Sequence, residues 1–362
     1  MALIDPADAT TWENWTRETG FQVIAATGAV PTDIDSRVKA LASAVEGAIQ
    51  SGSVDPSRIY LCGRGDASAA VFYAASRIPD LWAAAVALGG NPKPAIDTNR
   101  IFTANFTLVP LLWVALADAR PVAEQLKSAG LNLEFQPATS GANGSQVLKW
   151  LAEHKRDAVP ASIDCETDSP TFARCYWIQL TKFDAAERND VLASTRIGGG
   201  SGAALDLGGF VYKLSEPGPG VLVSSLPEKY TGQLKAGDRL VALNGRPIAD
   251  ARQYQELMEK MTEEQPAVVT VQRGKERVRI DTRIVLPRRE SGVTARVQAQ
   301  YSPAEKEIQI VTRAITEMRV TLPAEWLPAS LVWNGVPLEN LKEPGCRALA
   351  VEKELLKSER CK

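Results

Sequence analysis

Histidine is almost missing from this chain: His154 is the single one in 362 residues. With one imidazole and no C-x-x-C pair, no zinc-type ligand spacing exists, so neither a metal nor another cofactor is expected. Cysteine is also scarce, at five, which is too few for a disulfide framework in a protein of this length. Long apolar runs are lacking, and nothing approaches the roughly 20 residues of a membrane-spanning helix. Neither charge sign dominates. Lys plus Arg number 41 against 43 Asp plus Glu, a net charge of −2, so nothing electrostatic points to nucleic acid or an acidic membrane as partner. Met1 to Asp8 has no basic segment and no apolar core of the signal-peptide kind. The protein is therefore cytoplasmic, or periplasmic or secreted if a signal segment has been removed.

What is present is ordinary globular material: 45% hydrophobic, 23% charged, and enough length for two or three domains. Cys62 lies in an apolar run and reads as a small buried hydrophobe. Cys165 and Cys175 flank a short polar stretch and are able to pair in an oxidising compartment, as are Cys346 and Cys361.

From residue 1 to 157, strand and helix patterns alternate. Strands are expected at Met1–Ile4, Gly20–Ala26, Ile59–Cys62, Leu81–Leu88, Val109–Leu116 and Leu131–Gln136. Helices are expected at Thr11–Glu18, Ile34–Ser51, Ala69–Arg77, Pro121–Ala129 and Gln146–Lys155. Such alternation argues an α/β fold with a parallel sheet and helices on both faces. The stretch Asp55-Pro-Ser-Arg-Ile-Tyr-Leu-Cys-Gly-Arg-Gly-Asp-Ala-Ser68 supplies a strand, a tight small-residue turn and an alanine-rich helix. It resembles the nucleophile elbow of α/β-hydrolases, in particular feruloyl-esterase and polyhydroxybutyrate-depolymerase types, where a serine sits at the turn tip.

That resemblance implies a degenerate elbow made of Gly63, Gly65, Asp66 and Ala67, with glycine at position 65 where the nucleophile belongs. Ser68 falls about one helical turn on, several ångströms out of place. The loop Pro137–Ser145, where the family carries its histidine, has none, and His154 reads as a helix-end cap. Asp118 falls near the acid position and reads as a turn residue. A serine hydrolase needs nucleophile, imidazole and carboxylate together, so no catalytic residue is assigned. Fewer strands precede the elbow than the family usually carries, so either N-terminal material is missing or the α/β-hydrolase-like domain is N-terminally reduced.

From Ala158 the pattern changes to β. Thr171–Leu180 alternates as one aromatic strand, and Ala185–Ala204, with Gly198-Gly-Gly-Ser-Gly202, reads as a flexible connector. Segment 203–290 contains Leu234-Lys-Ala-Gly-Asp-Arg-Leu-Val-Ala-Leu-Asn-Gly245 and resembles a bacterial-type PDZ domain. The resemblance implies capture of an extended peptide or a free C-terminus by strand addition. Leu207, Gly208, Gly209 and Phe210 would form the carboxylate loop, and Phe210, Val211, Tyr212 and Lys213 the pairing edge. On the facing helix, Ala251 to Met261, residues Tyr254, Leu257, Met258 and Met261 form one apolar face. Leu257 and Met261 are expected inward, with Tyr254 or Met258 nearer the groove.

Segments 158–190 and 293–352 resemble the small β-sandwich behind some esterases, so the PDZ domain is expected as an insertion within it. The last residues, Val351 to Lys362, read as a short charged helix or tail. Together these readings describe a multidomain peptide-binding protein on a catalytically inactive esterase-like platform. The rival is a serine-type esterase or peptidase-like hydrolase completed by parts outside this sequence. A third is a structural role with the groove closed.

Overall fold

Five-residue strands that bury both of their faces set the first layer. In the computed structural model, all residues are described except 29, 30, 32, 139–141, 190, 199–202, 213–215, 287–291, 353, 354 and 362. The glycine run 199–202 therefore lies outside the described residues. In sequence order come β1 (Ala2–Leu3), α1 (Ala9–Thr16), β2 (Ile24–Ala25), α2 (Ile34–Gln50), β3 (Tyr60–Arg64), α3 (Ala67–Arg77) and β4 (Ala84–Leu88). They are followed by α4 (Lys93–Ile96), β5 (Ile101–Phe102), β6 (Leu111–Ala115), α5 (Arg120–Ser128), β7 (Leu133–Pro137) and α6 (Gly144–Ala152). All of these strands but β5 make a parallel sheet of order β2-β1-β3-β4-β6-β7.

Period-two alternation splits the sheet's side chains between two cores. Leu61, Ala85, Ala87, Leu111 and Trp113 pack with Val38 and Leu41 of α2, Val71 and Phe72 of α3, and Ala123 of α5. Tyr60, Cys62, Val86, Leu112 and Val114 pack with Trp12 of α1 and Val147, Leu148 and Leu151 of α6. Burial on both faces is why these strands read as unbroken apolar runs. Helix α3 is buried at every residue, and its small side chains let it lie close on β3. A Cβ at Gly63 would stand 2.8 Å from Val71 and 2.9 Å from Ile4, so only glycine fits the crossing.

Further along are β8 (Ser162–Thr167), β9 (Arg174–Cys175), β10 (Ile178–Phe183) and β11 (Arg196–Ile197). Next come β12 (Ala204–Leu205), β13 (Val221–Leu222), β14 (Arg239–Leu243), β15 (Arg246–Pro247), α7 (Ala251–Glu259), β16 (Gln265–Arg273) and β17 (Glu276–Val285). The last strands are β18 (Ala295–Ser302), β19 (Glu307–Arg313), β20 (Ile315–Leu322), β21 (Ala329–Trp333), β22 (Val336–Leu341), β23 (Gly345–Glu352) and β24 (Leu355–Arg360). The protein divides into two compact units: Met1–Ile197 with Gly292–Lys362, and Gly198–Ser291.

Within the larger unit, two five-stranded sheets, β24-β23-β20-β10-β9 and β22-β21-β19-β18-β8, share one core containing Trp177, Val297, Ile310, Met318, Trp326 and Trp333. Trp326 stacks on Tyr301 at 4.6 Å and takes Trp177 edge-on at 5.1 Å. Cys165 of β8 is bonded to Cys175 of β9, joining the two sheets, and Cys346 is bonded to Cys361 across the β23–β24 hairpin. At the tip between β21 and β22, Asn334 and Gly335 both have positive φ, as an Asn-Gly two-residue hairpin requires.

Three expectations are corrected by this architecture. Thr171–Leu180 is not one strand. A 3-10 turn at Pro170–Phe172, the short β9, a turn with Tyr176 at φ 52° and then β10 replace it, because Cys175 pairs back on Ile178. The C-terminal tail is a strand instead of a helix, paired along β23 from Glu352↔Leu355 to Arg347↔Arg360. The connector is anchored along its described part: β11 pairs with β5, and Ser194 and Thr195 bond to Glu166.

Two polar clusters tie the layers of this unit together. The Glu166 carboxylate, 1% exposed, accepts from the Ser194 hydroxyl at 2.5 Å, the Thr195 N–H at 2.6 Å, the Thr195 hydroxyl at 2.8 Å, the Thr294 hydroxyl and Arg313 at 3.1 Å. It thereby holds the backbone shortly before residue 198 and shortly after residue 291. Asp168 pairs with Arg77 at 2.7 Å and Arg100 at 2.9 Å, and Arg100 also reaches Asp35 of α2 at 2.7 Å.

Candidate binding site

In the smaller unit, β12-β17-β16-β14-β13 form a sheet to which β15 adds beside β14. Leu205 and Leu207 enter its core, with Val223, Leu240, Val269 and Ile280. The backbone then turns at Gly208 and Gly209, with φ of 77° and 81°. Two successive residues in the left-handed region are accessible to glycine at little cost.

Beyond the turn, the Val211 N–H donates to Ser225 O at 2.9 Å, and Val211 O accepts from the Ser224 N–H at 2.8 Å. This is one antiparallel bridge instead of a full strand, and Lys213 lies outside the described residues. Phe210 and Tyr212, two apart, share a side, and both rings meet Tyr254 of α7, at 6.4 and 5.7 Å between centroids. Val211 faces away and is 56% exposed.

The sequence-predicted residues thus come together, but the helix is rotated from its expected setting. Tyr254 and Met258 are in the core at 5% and 4% exposure, while Leu257 and Met261 are only partly buried at its margin. The reason is Ala251, which is also buried. Counting it in the apolar stripe moves the centre of the stripe onto Tyr254 and Met258 and leaves Leu257 at its edge. Burial, with Tyr212 adding to it, raises the Tyr254 hydroxyl above the ordinary tyrosine value.

Two supporting residues were not singled out from sequence. Asp238 of the Gly-Asp pair, almost fully buried, accepts from Arg273 Nε at 2.8 Å, from its Nη2 at 2.7 Å and from the Lys235 N–H at 2.7 Å. Burial works to raise this carboxyl, yet Arg273 and Lys235 together hold it below the usual carboxylate range. Tyr230 accepts the Leu234 N–H on its hydroxyl at 3.1 Å. A buried aspartate in a glycine turn does signal a cationic partner. Tyr230 gives no such signal, because its packing partner is more than twenty residues away.

The glycine turn after β3 is sharp. Gly65 has φ 54°, its N–H donates to Leu88 O at 2.8 Å, and a Cβ placed on it would meet nothing within 4 Å. Gly90 must be glycine, since its Cβ would fall 2.1 Å from Gly65 O. Gly63 and Ala67 are buried, and Asp66 is exposed. The Ser68 hydroxyl is buried and donates to Leu88 O at 3.2 Å. Asp118 is exposed in a 3-10 turn. His154 Nδ1 lies 2.8 Å from Trp150 O, its ring packs on Trp150, and its carbonyl accepts from the Tyr60 hydroxyl. Tyr60 begins β3 and Gly65 follows its end, so strand length alone sets these points roughly 16 Å apart.

Cys62 is fully buried, and burial pushes its thiol up to about 12. Dithionitrobenzoate is therefore expected to find no reactive thiol in the native protein and one per molecule in denaturant, since Cys62 is the single free cysteine. Rapid colour release from the native protein would contradict this.

No described helix is long and apolar enough to cross a membrane. Residues 209–284 match the family model described as PDZ domain. A comparison with curated proteins gives no match. The segment is a PDZ domain, and such domains bind peptides or proteins.

Proposed function

We propose that this protein is a non-catalytic peptide-binding protein, in which the PDZ domain recruits an extended peptide or a free C-terminus and an esterase-like α/β region serves as platform. The observation that carries the reading is the Gly208–Gly209 turn leading into a segment whose Val211 is paired on one side with Ser225. Peptide groups alternate in direction along an extended segment, so those of Phe210 aim toward the other edge, where a ligand strand would add. The half-buried ring of Phe210 and the aromatic pair Tyr212–Tyr254 would floor the groove beneath the ligand's side chains. Leu207 and Met258 would support that floor from the core, and Leu257 would line its rim.

Three placements support a platform without catalysis: no side chain at Gly65, a Ser68 hydroxyl spent on Leu88 O, and His154 at the far end of β3. The two disulfides suit an oxidising compartment.

C-terminal peptide display on the whole 362-residue chain should enrich sequences with an apolar last residue, and Phe210→Ala should weaken the selected peptide at least tenfold, about 1.4 kcal/mol. No enrichment by protein shown to be folded would remove the reading. In parallel, p-nitrophenyl acetate turnover should stay at background and a fluorophosphonate probe should label nothing. Stoichiometric labelling would favour the hydrolase instead.

A further inference from the structure

We infer that Tyr230 is a positioning residue for the Gly208–Gly209 turn, holding it in the shape that receives a ligand's terminal carboxylate. The inference rests on the peptide-binding reading above.

The ring is wedged between two glycines. A Cβ on Gly208 would stand 2.9 Å from Tyr230 Cε2, and a Cβ on Gly232 would stand 2.2 Å from the Tyr230 hydroxyl oxygen. The side chain therefore lies against the backbone of both segments. It is also held in place from its own side. The Tyr230 N–H donates to Pro227 O at 3.1 Å, and the hydroxyl takes the Leu234 N–H at 3.1 Å.

The rest of that loop is bolted down. Arg273 donates to Gln233 O at 2.8 Å and grips Asp238, while the Gly237 N–H donates to Val223 O at 2.9 Å. Gly208, by contrast, belongs to a residue pair with wide conformational freedom. A hollow of backbone N–H groups binds an anion only while its dihedral angles hold those groups convergent. The ring of Tyr230 removes that freedom on one side of Gly208.

The test uses the whole 362-residue chain, immobilised, and a pool of labelled decapeptides that are random except for a final valine. The pool is made as free acids and as C-terminal amides. The native protein is expected to retain the acid pool at least about tenfold over the amide pool. Tyr230→Ala should bring that ratio close to one, and Tyr230→Phe, which keeps the ring, should preserve it. If Tyr230→Ala fails to fold, Tyr230→Leu takes its place with the same expected collapse.

A ratio unchanged in a folded Tyr230→Ala or Tyr230→Leu protein, with only the melting temperature lowered, would make the residue merely structural and overturn the inference. Equal retention of both pools by the native protein above a blank surface would overturn it too, while leaving peptide binding standing. Retention of neither pool would remove both.

Discussion

Glu166→Ala is expected to destabilise the larger unit by about 3–5 kcal/mol, the usual cost of removing one member of a buried ion pair. The glutamate is 1% exposed, and Arg313 is left facing an empty space when it goes. The loss reaches further than one pair. Ser194, Thr195 and Thr294 all lose their acceptor, and these residues flank the stretch from 198 to 291 on both sides. The distinguishing measurement is hydrogen exchange. Amides of 192–197 and of β11 should exchange far faster in the variant, while those of β14 and β16 in the smaller unit should not change. Glu166→Gln, which keeps the shape and part of the bonding, should fall between. Uniform acceleration across both units would show that Glu166 does not act as a local anchor.

The second large effect is at Asp168. Its carboxylate answers Arg77, a residue 2% exposed whose guanidinium is enclosed by aromatic rings, with Phe172 at 4.5 Å. Asp168→Ala leaves that cation buried beside Phe172, Tyr73 and Phe102 with its counter-charge removed. A loss of about 3 kcal/mol is expected. Burial alone would raise the Asp168 carboxyl, but Arg100 and Arg77 overcome it and hold the group below the usual range. A carboxyl lowered in the folded state contributes stability in full above its unfolded value, about 3.9. That contribution is lost as pH falls through the folded value. The melting temperature of the native protein should therefore drop below about pH 4, and Asp168→Asn should flatten that part of the profile. An identical acid limb in the variant would show that other carboxylates control it.

Much of the fold could be read from local pattern. The apolar runs of β3, β4 and β6 and the 3.6-residue spacing of Val38, Leu41 and Val45 in α2 are properties of sequence neighbours. The Gly208–Gly209 turn was legible because its backbone angles demand glycine. What failed locally depended on a distant partner. β24 looked like a charged tail, and only pairing with β23 and the Cys346–Cys361 bond make it a strand. The connector read as flexible because it is hydrophilic and carries a glycine run, and Glu166, nearly thirty residues earlier, is what captures its Ser194 and Thr195.

The candidate site follows the same division. Its two turn glycines are written in a short stretch, since the conformation of their own few residues requires them. Which face of α7 turns inward, which tyrosine props Gly208, and which arginine answers Asp238 were decided by tertiary packing. Those choices turn on energies of contact between segments far apart in the sequence, and a one-dimensional pattern holds no record of which segments meet.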